Sequence, residues 1–360
     1  MFSPKFVADV QKNIRRCAYH QYTVLNSACK KEKTQTVSVR SHWASQGMFA
    51  TSHMSADDES QRKIAYEKFL LRGFEETHYF NYTNFYFSSD EVEKIKEQLV
   101  DFTFLLCCGK GQFGSVWLVK DLSKQIVALK LIPKKFISHL EIERAGLIAY
   151  RNKIKNFEHL VQIYHVGQTK DFFYYTMEAA YSVSDEYYIP ITLSCLLEHC
   201  LFSPKDSANI SLDILEGLKL LHSSDLAHRD IKPENIILVD NKIKICDVSL
   251  IVNKDKKSTA GTEFFIPQDI NEIPEEHFGI DCDLFATGKV LYAMLSNNEN
   301  IMMFPHIDKT ILCDKLAKKI NLIVNKACSP SYKDRYSSAL EFIQALLIAK
   351  KEPKILLDFF

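Results

Sequence analysis

The chain has 360 residues and a mass of 41.5 kDa, enough for about two domains' worth of core. Lys+Arg and Asp+Glu both count 45, so no bulk charge argues for nucleic acid or a membrane surface as partner. Hydrophobic residues at 46% and charged residues at 25% are ordinary for a globular protein. The ten cysteines show neither a C-x-x-C nor a zinc-type spacing, which points to free thiols in a reducing, cytoplasmic compartment. No apolar run approaches the ~20 residues of a membrane span, and the N-terminus lacks the apolar core of a secretory signal.

Residues 1–56 are polar and basic, with eight Lys or Arg against Asp9 and Glu32. They are expected to be poorly ordered, apart from a short amphipathic helix through Phe6, Val7, Val10 and Ile14. No pattern identifies a partner for this segment. Residues 57–99 read as a helical and aromatic extension packing on the domain that follows. It comprises a helix over Asp57–Arg72, an aromatic stretch from His78 to Phe87, and a helix opened by a capping box of Ser88 and Glu91. The apolar positions of that last helix are Val92, Ile95 and Leu99.

Glycine is scarce, eleven in all, yet three fall in Gly109-Lys110-Gly111-Gln112-Phe113-Gly114-Ser115-Val116. Apolar runs on either side, Phe102 to Leu106 and Trp117 to Val119, place them in a hairpin, where small residues let backbone amides approach phosphate oxygens. Val127-Ala128-Leu129-Lys130 ends a third strand, and a lysine there wants anions. Glu141 and Glu143 follow on one helix. His159–Val166 and Asp171–Met177 read as two further strands. An apolar helical run, Ile210 to Leu221, then leads to His228-Arg229-Asp230-Ile231-Lys232-Pro233-Glu234-Asn235, with strands at Ile236–Val239 and Lys242–Cys246 beyond it. Phosphoryl transfer needs a carboxylate to orient a hydroxyl, a cation near the moving phosphate and oxygen ligands for a metal ion. Asp230, Lys232 and Asn235 offer these three in one loop, and Asp247 follows twelve residues after Asn235. Helical runs at Leu312–Ala327 and Ser338–Ala349 end the pattern.

The octet resembles the catalytic loop of the protein kinase family, H-R-D-x-K-x-x-N, with every motif position filled. The resemblance spans residues 100–350. It implies an α+β bilobal fold: a small antiparallel β lobe with one key helix (about 100–178) and a larger helical lobe (about 181–350), followed by a tail at 351–360. The implied activity is transfer of the ATP γ-phosphate to a Ser or Thr hydroxyl of protein substrates, with Mg2+. In it Asp230 positions the hydroxyl, Lys232 stabilises the transferring group, and Asn235 and Asp247 hold the metal. Gly109, Lys110, Gly111, Gln112, Phe113 and Gly114 would cover the phosphates, and Lys130, paired with Glu143, would anchor them. Glu143 is preferred to Glu141 because Leu147 then falls one turn later, where the family keeps an apolar residue. Val116 and Ala128 would close over adenine, and Met177, Glu178 and Ala180 belong to the hinge beside it.

Phe172 to Glu178 and Ile189 to Leu193 also look like bacterial kinases of eukaryotic type. Gly261 to Asp269 resembles the end of an activation segment, with Arg335 as the expected buried partner of Asp269. Asp283, read near a helix start, matches the acid that holds the catalytic-loop backbone. Arg229 is expected to pair with a phosphate on Ser258 or Thr259. The departure is Asp247-Val248-Ser249 in place of Asp-Phe-Gly. It supports the alternative, a pseudokinase acting as an ATP-binding or scaffolding module. A kinase of small molecules is disfavoured by Lys232-Pro233-Glu234 and by Gly261-Thr262.

Overall fold

A computed structural model describes residues 87–111, 113–180, 190–199, 201–240, 242–248, 251–253, 262–296 and 314–351. Within them the α+β chain forms two compact units, one built on an antiparallel sheet and the other mainly helical. Of the described residues, the first takes in those up to 141, 161–199 and 237–240; the second has 142–160, 201–236 and those from 242 on. The helices expected near Phe6 and over Asp57–Arg72, and the aromatic stretch before Phe87, lie outside the described residues.

In the first unit, α1 (Ser89–Gln98) starts at the capping box expected from sequence. Ser88 Oγ accepts from the Glu91 amide at 3.3 Å, and the Ser88 amide donates to the Glu91 carboxylate at 2.8 Å. Two of the helix's otherwise orphaned donors are thereby satisfied. Val92, Ile95 and Leu99 recur at helical spacing, so they share one face, and all three are buried against Cys107, Trp117, Val119, Val127, Leu129 and Leu131.

Those partners come from an antiparallel sheet of order β1-β2-β3-β5-β4. Its strands are β1 (Thr103–Lys110), β2 (Ser115–Lys120), β3 (Ile126–Pro133), β4 (Ile163–Gln168) and β5 (Phe172–Met177). Side chains alternate across a strand, so Val127, Leu129 and Leu131 face α1 while Ala128 and Lys130 point the other way. Register carries that second face across the sheet. Ala128 pairs with Leu118 and Met177, and Lys130 with Val116 and Tyr175. The β1–β2 turn is closed by Gly111 N–H donating to the Gly114 carbonyl at 2.8 Å. A Cβ on Gly114 would lie 2.6 Å from the Leu131 carbonyl oxygen, so only glycine lets the turn lie this close to β3.

Two strand boundaries differ from the sequence reading. β3 does not end at Lys130, because Leu131, Ile132 and Pro133 go on pairing with Tyr174, Phe173 and Phe172. β4 begins at Ile163 rather than at His159, since Leu160 makes an isolated parallel bridge with Ile245 instead. α2 (Ile137–Lys153) follows β3, its residues from Ile142 on belonging to the second unit. α3 (Leu193–His199) is short and opens on Thr192, whose Oγ1 accepts from the Cys195 amide at 3.0 Å.

The second unit is organised by α4 (Pro204–Ser223) and α5 (Glu275–Ser296). α4 has Ser203 as its N-cap and Pro204 at its first position, where a missing N–H costs nothing. Ile210, Ile214, Leu218 and Leu221 form its buried stripe. α5 is buried on nearly every side from Phe278 to Leu295, the mark of a central helix. α6 (Lys315–Ala327) and α7 (Ala339–Lys350) are capped by Asp314 and Ser338. Between α4 and α5 in the chain run β6 (Leu226–Ala227), β7 (Ile236–Val239, which from Ile237 belongs to the first unit), β8 (Lys242–Ile245) and β9 (Val252–Asn253), with β6 and β9 paired antiparallel. The octet loop leaves from β6. Among the described residues, no helix is long and apolar enough to cross a membrane.

Candidate active site

The loop between β6 and β7 gathers Asp230, Lys232 and Asn235 around one carboxylate. Asn235 Nδ2 donates to Asp230 Oδ2 at 2.9 Å and to the Asp230 carbonyl at 2.8 Å. Lys232 Nζ lies 2.9 Å from the same Oδ2, and the Thr262 hydroxyl donates to Oδ1 at 2.8 Å. Lys232 also donates to Thr262 Oγ1 at 2.9 Å, which closes a ring of polar contacts. Asp230 is 9% exposed, so these donors fix the direction of a carboxylate that still reaches the surface. Burial alone would lower the Lys232 pKa. The adjacent Asp230 charge and hydrogen bond, helped by Glu234 and Asp247, outweigh it and raise the value. The ammonium is therefore held charged. Glu234 is raised by burial.

The loop is anchored from α5. Asp283 Oδ2 accepts from the His228 amide at 2.9 Å and Oδ1 from the Arg229 amide at 2.6 Å. Asp283 lies well inside α5, not near its start as the sequence suggested. The role expected of it from the resemblance depends on this buried position. His222, at the end of α4, also contacts Asp283 Oδ2 at 2.9 Å. Arg229 adopts φ 69°, in the left-handed region, which costs a non-glycine residue about 1–2 kcal/mol. The Asp283 bond and the packing of its guanidinium 5.3 Å from the Phe278 ring hold it there. Burial pushes the Arg229 pKa down. Ser258 and Thr259, the expected phosphate positions, lie outside the described residues.

Asp247 is drawn to the loop through its neighbour. The Cys246 amide donates to the Asn235 carbonyl at 2.8 Å, and the Cys246 carbonyl accepts from His228 Nε2 at 2.9 Å. The Asp230 amide lies 3.3 Å from His228 Nδ1. The imidazole therefore accepts at Nδ1 and donates at Nε2, bridging Asp230 to the residue before Asp247. Asp247 itself has φ 58°, Val248 is buried, and Ser249 lies outside the described residues.

Arg335 pairs with Asp269 as expected, and its other terminal nitrogen donates to Asp281 Oδ1 at 2.5 Å. Asp281 was not anticipated. Its only signal in sequence was a second acid two residues before Asp283. Burial drives its pKa up to about 6, against the pull of Arg335. Thr262, matched earlier only as a motif position, and His222 were also missed as contacts of Asp230 and Asp283, because pairing across the fold leaves no local pattern.

In the first unit, Val116, Ala128, Lys130 and Met177 share the sheet face opposite α1. Gly109 and Lys110 end β1, Gly111, Phe113 and Gly114 make the turn, and Gln112 lies outside the described residues. Glu178 is tied to the start of β4. Its amide donates to the Gln162 carbonyl at 3.1 Å, and its carboxylate accepts from the Gln162 amide at 2.8 Å. Ala180 follows, half-buried. Glu143, in the second unit, is fully buried, whereas Glu141 is exposed.

Residues 102–355 match the family described as the protein kinase domain, and the chain belongs to that family. It is similar to calcium-dependent protein kinase 5 of Plasmodium berghei, 28% identical over 274 residues, covering 69% of this chain and 45% of that protein. The mitogen-activated protein kinase Hog1 of Zymoseptoria tritici is 29% identical over 264 residues, covering 70% of this chain and 68% of its own. The serine/threonine-protein kinase H1 homolog of Pinctada fucata is 28% identical over 250 residues, covering 67% and 55%. The chain thus spans less than half the length of the Plasmodium protein.

Proposed function

We propose that the chain is a Ser/Thr protein kinase that transfers the ATP γ-phosphate to hydroxyl groups of protein substrates. The observation that carries this is the Asp230 carboxylate held by Lys232, Asn235 and Thr262. The bond between the γ-phosphorus and the β–γ bridging oxygen of ATP breaks, ADP leaving with that oxygen, and a bond from phosphorus to the substrate oxygen forms. Asp230 orients the substrate hydroxyl and accepts its proton. Lys232 is assigned to the negative charge that builds on the moving group, and being preset it needs no reorganisation. Lys130, on the sheet face with Val116 and Ala128, is assigned to the α and β phosphates with Glu143 as its partner. Gly109 to Gly114 are assigned to the phosphates from the other side, and Met177, Glu178 and Ala180 to adenine.

The residues also suit a divalent cation, proposed as Mg2+. The Asn235 amide nitrogen is committed to Asp230, which leaves its carbonyl oxygen, with the Asp247 carboxylate, as hard ligands. Such a pair of oxygens suits an ion that takes one or two protein ligands and completes its shell with phosphates and water. When bound, such an ion neutralises phosphate charge.

The pairing of Lys232 with Thr262 favours Ser and Thr over Tyr. Nucleic acid is not proposed as a partner. A cytoplasmic location goes with this reading, supported by six free cysteines among the described residues. The finer likeness to bacterial kinases of eukaryotic type rests on two short stretches, and the relatives, all eukaryotic, give it no support. No observation favours the pseudokinase: Val248 is packed with 1% exposure and every charged group of the mechanism is present.

The test is incubation with labelled ATP, Mg2+ and a generic protein substrate, followed by phosphoamino-acid analysis. Asp230→Asn is expected to lower turnover by roughly 10²–10⁴-fold with the fold intact. Lys130→Met and Asp247→Asn should be inactive too. Near-parental turnover by the Asp230→Asn protein, or phosphotyrosine as main product, would overturn the reading.

A further inference from the structure

The hairpin bearing the glycine-rich turn is gripped by a segment that precedes the family domain. The match to the family begins at residue 102, yet α1 and Phe87 lie before it and are packed into the sheet's own core. At the C-terminal end of α1, Gln98 Nε2 donates to Asp171 Oδ2 at 2.8 Å. Its Oε1 accepts from the Thr169 hydroxyl at 2.9 Å and from the Asp171 amide at 3.1 Å. These contacts fix α1 to the β4–β5 turn. At the other end, the Phe87 ring lies 5.1 Å from that of Trp117, and Lys110 Nζ sits 4.1 Å above the Phe87 ring centroid. Lys110 stands between Gly109 and Gly111 at the end of β1, and the Glu91 carboxylate of the α1 capping box adds its attraction to that lysine. On the far side of the turn, Phe113 packs edge-on against Phe136 at 5.8 Å. The turn is thus fastened at two points, one of them supplied from outside the family domain.

We propose that α1 and Phe87 form a clamp on the glycine-rich turn, with Phe87 a positioning residue that holds Lys110 and presets the turn for nucleotide. The proposal rests on the reading of the chain as an ATP-dependent kinase. A turn with three glycines has much backbone freedom to lose, and a turn already ordered loses less of it when phosphates bind. The clamp therefore acts on nucleotide affinity and leaves the chemical step alone.

A double-mutant cycle in the full chain tests it. Phe87→Leu keeps an apolar side chain on Trp117 but removes the ring face that attracts a cation, and Lys110→Met removes the cation. Each variant and the double variant are assayed for kcat, KM for ATP, thermal midpoint and Kd of a non-hydrolysable fluorescent ATP analogue. Phe87→Leu is expected to raise KM and Kd together by roughly two- to five-fold with kcat unchanged. Phe87→Tyr should restore both. In the Lys110→Met background, Phe87→Leu should add nothing. Unchanged Kd in Phe87→Leu, or the same increment in both backgrounds, overturns the clamp. A fall in kcat and thermal midpoint that Phe87→Tyr does not repair makes Phe87 a packing residue only, and overturns it as well. A parent chain that neither binds the analogue nor turns over ATP overturns the kinase reading and the clamp together, whereas binding without coupling overturns the clamp alone.

Discussion

At the residue scale, Arg335 shows how one buried cation is shared. Asp269 reaches the guanidinium and also accepts from the Tyr332 amide at 2.7 Å. Asp281 takes the other side, so two carboxylates share one buried cation. That arrangement, under strong desolvation, welcomes a proton, and the Asp281 pKa rises from 3.8 to about 6. Because the folded value is the higher one, the folded chain binds the proton more tightly than the unfolded chain does. Stability attached to this proton is present below about pH 4 and is lost as pH rises through about 6. His277 on the same helix and Asp269 act on this group in opposite directions. Asp281→Asn cannot titrate, so its unfolding midpoint should lack the decline that the parent shows between pH 4 and 6.5. That difference is on the order of 2 kcal/mol across the window. Parallel pH profiles of parent and variant would discard the assignment. The positive φ in the Asp247-Val248-Ser249 stretch is likewise a residue-scale matter. It is Asp247 that adopts it, at φ 58°. Asp, with a short polar side chain, tolerates that region better than most residues.

At the element scale, α2 carries a glycine in its interior, which weakens a helix by about 1 kcal/mol relative to alanine. The compensation is contact. A Cβ on Gly146 would lie 2.4 Å from the carbonyl oxygen of Ile251, within the turn in which the Ile251 amide donates to the Val248 carbonyl at 3.3 Å. Ile251 and Val248 are both buried, so neither the turn nor the helix can yield by moving into solvent. Overpacking of this kind costs about 1–3 kcal/mol, more than the propensity gained. Gly146→Ala should therefore lower stability in a denaturant titration and reduce turnover, since the displaced turn begins at Val248, next to Asp247. A variant of equal or greater stability would mean that the helix slides without penalty. The start of α1 was readable because Ser88 and Glu91 form a capping box, and the run read from Ser338 begins at the cap of α7. α4 and α6 start at Pro204 and Lys315, capped by Ser203 and Asp314, whereas the sequence reading began those runs at Ile210 and Leu312. Strand ends were not, because pairing partners decide them: Leu131 to Pro133 extend β3 only because β5 runs alongside.

At the scale of the whole molecule, the two units have cores of their own. Lys130 and the glycine turn belong to the first, and Asp230, Asn235 and Asp247 to the second. A ligand that binds only the folded chain stabilises it by mass action. ATP with Mg2+ at about 100 times Kd should add about 2.7 kcal/mol to the unfolding free energy. The same concentrations should give a much smaller shift for Asp247→Asn. Equal shifts in the two proteins, seen by differential scanning fluorimetry, would remove Asp247 from the metal site. The balanced charge of the whole chain, 45 against 45, leaves such local sites to provide any anion binding.

The sequence by itself determined the family and singled out the groups proposed to react. Both are carried by short, contiguous patterns, an octet loop and a glycine-rich hairpin, whose chemistry depends on which residues stand side by side. It also determined the burial of Val92, Ile95 and Leu99, because helical period alone puts them on one face. The tertiary structure decided what touches the reactive groups across long separations. Thr262 meets Asp230, His228 bridges to Cys246, Asp281 joins Arg335, and Phe87 lies under Lys110. Contacts between residues tens of positions apart leave no period and no spacing rule in the chain. They follow from how the packed elements cross, and only the folded molecule fixes that.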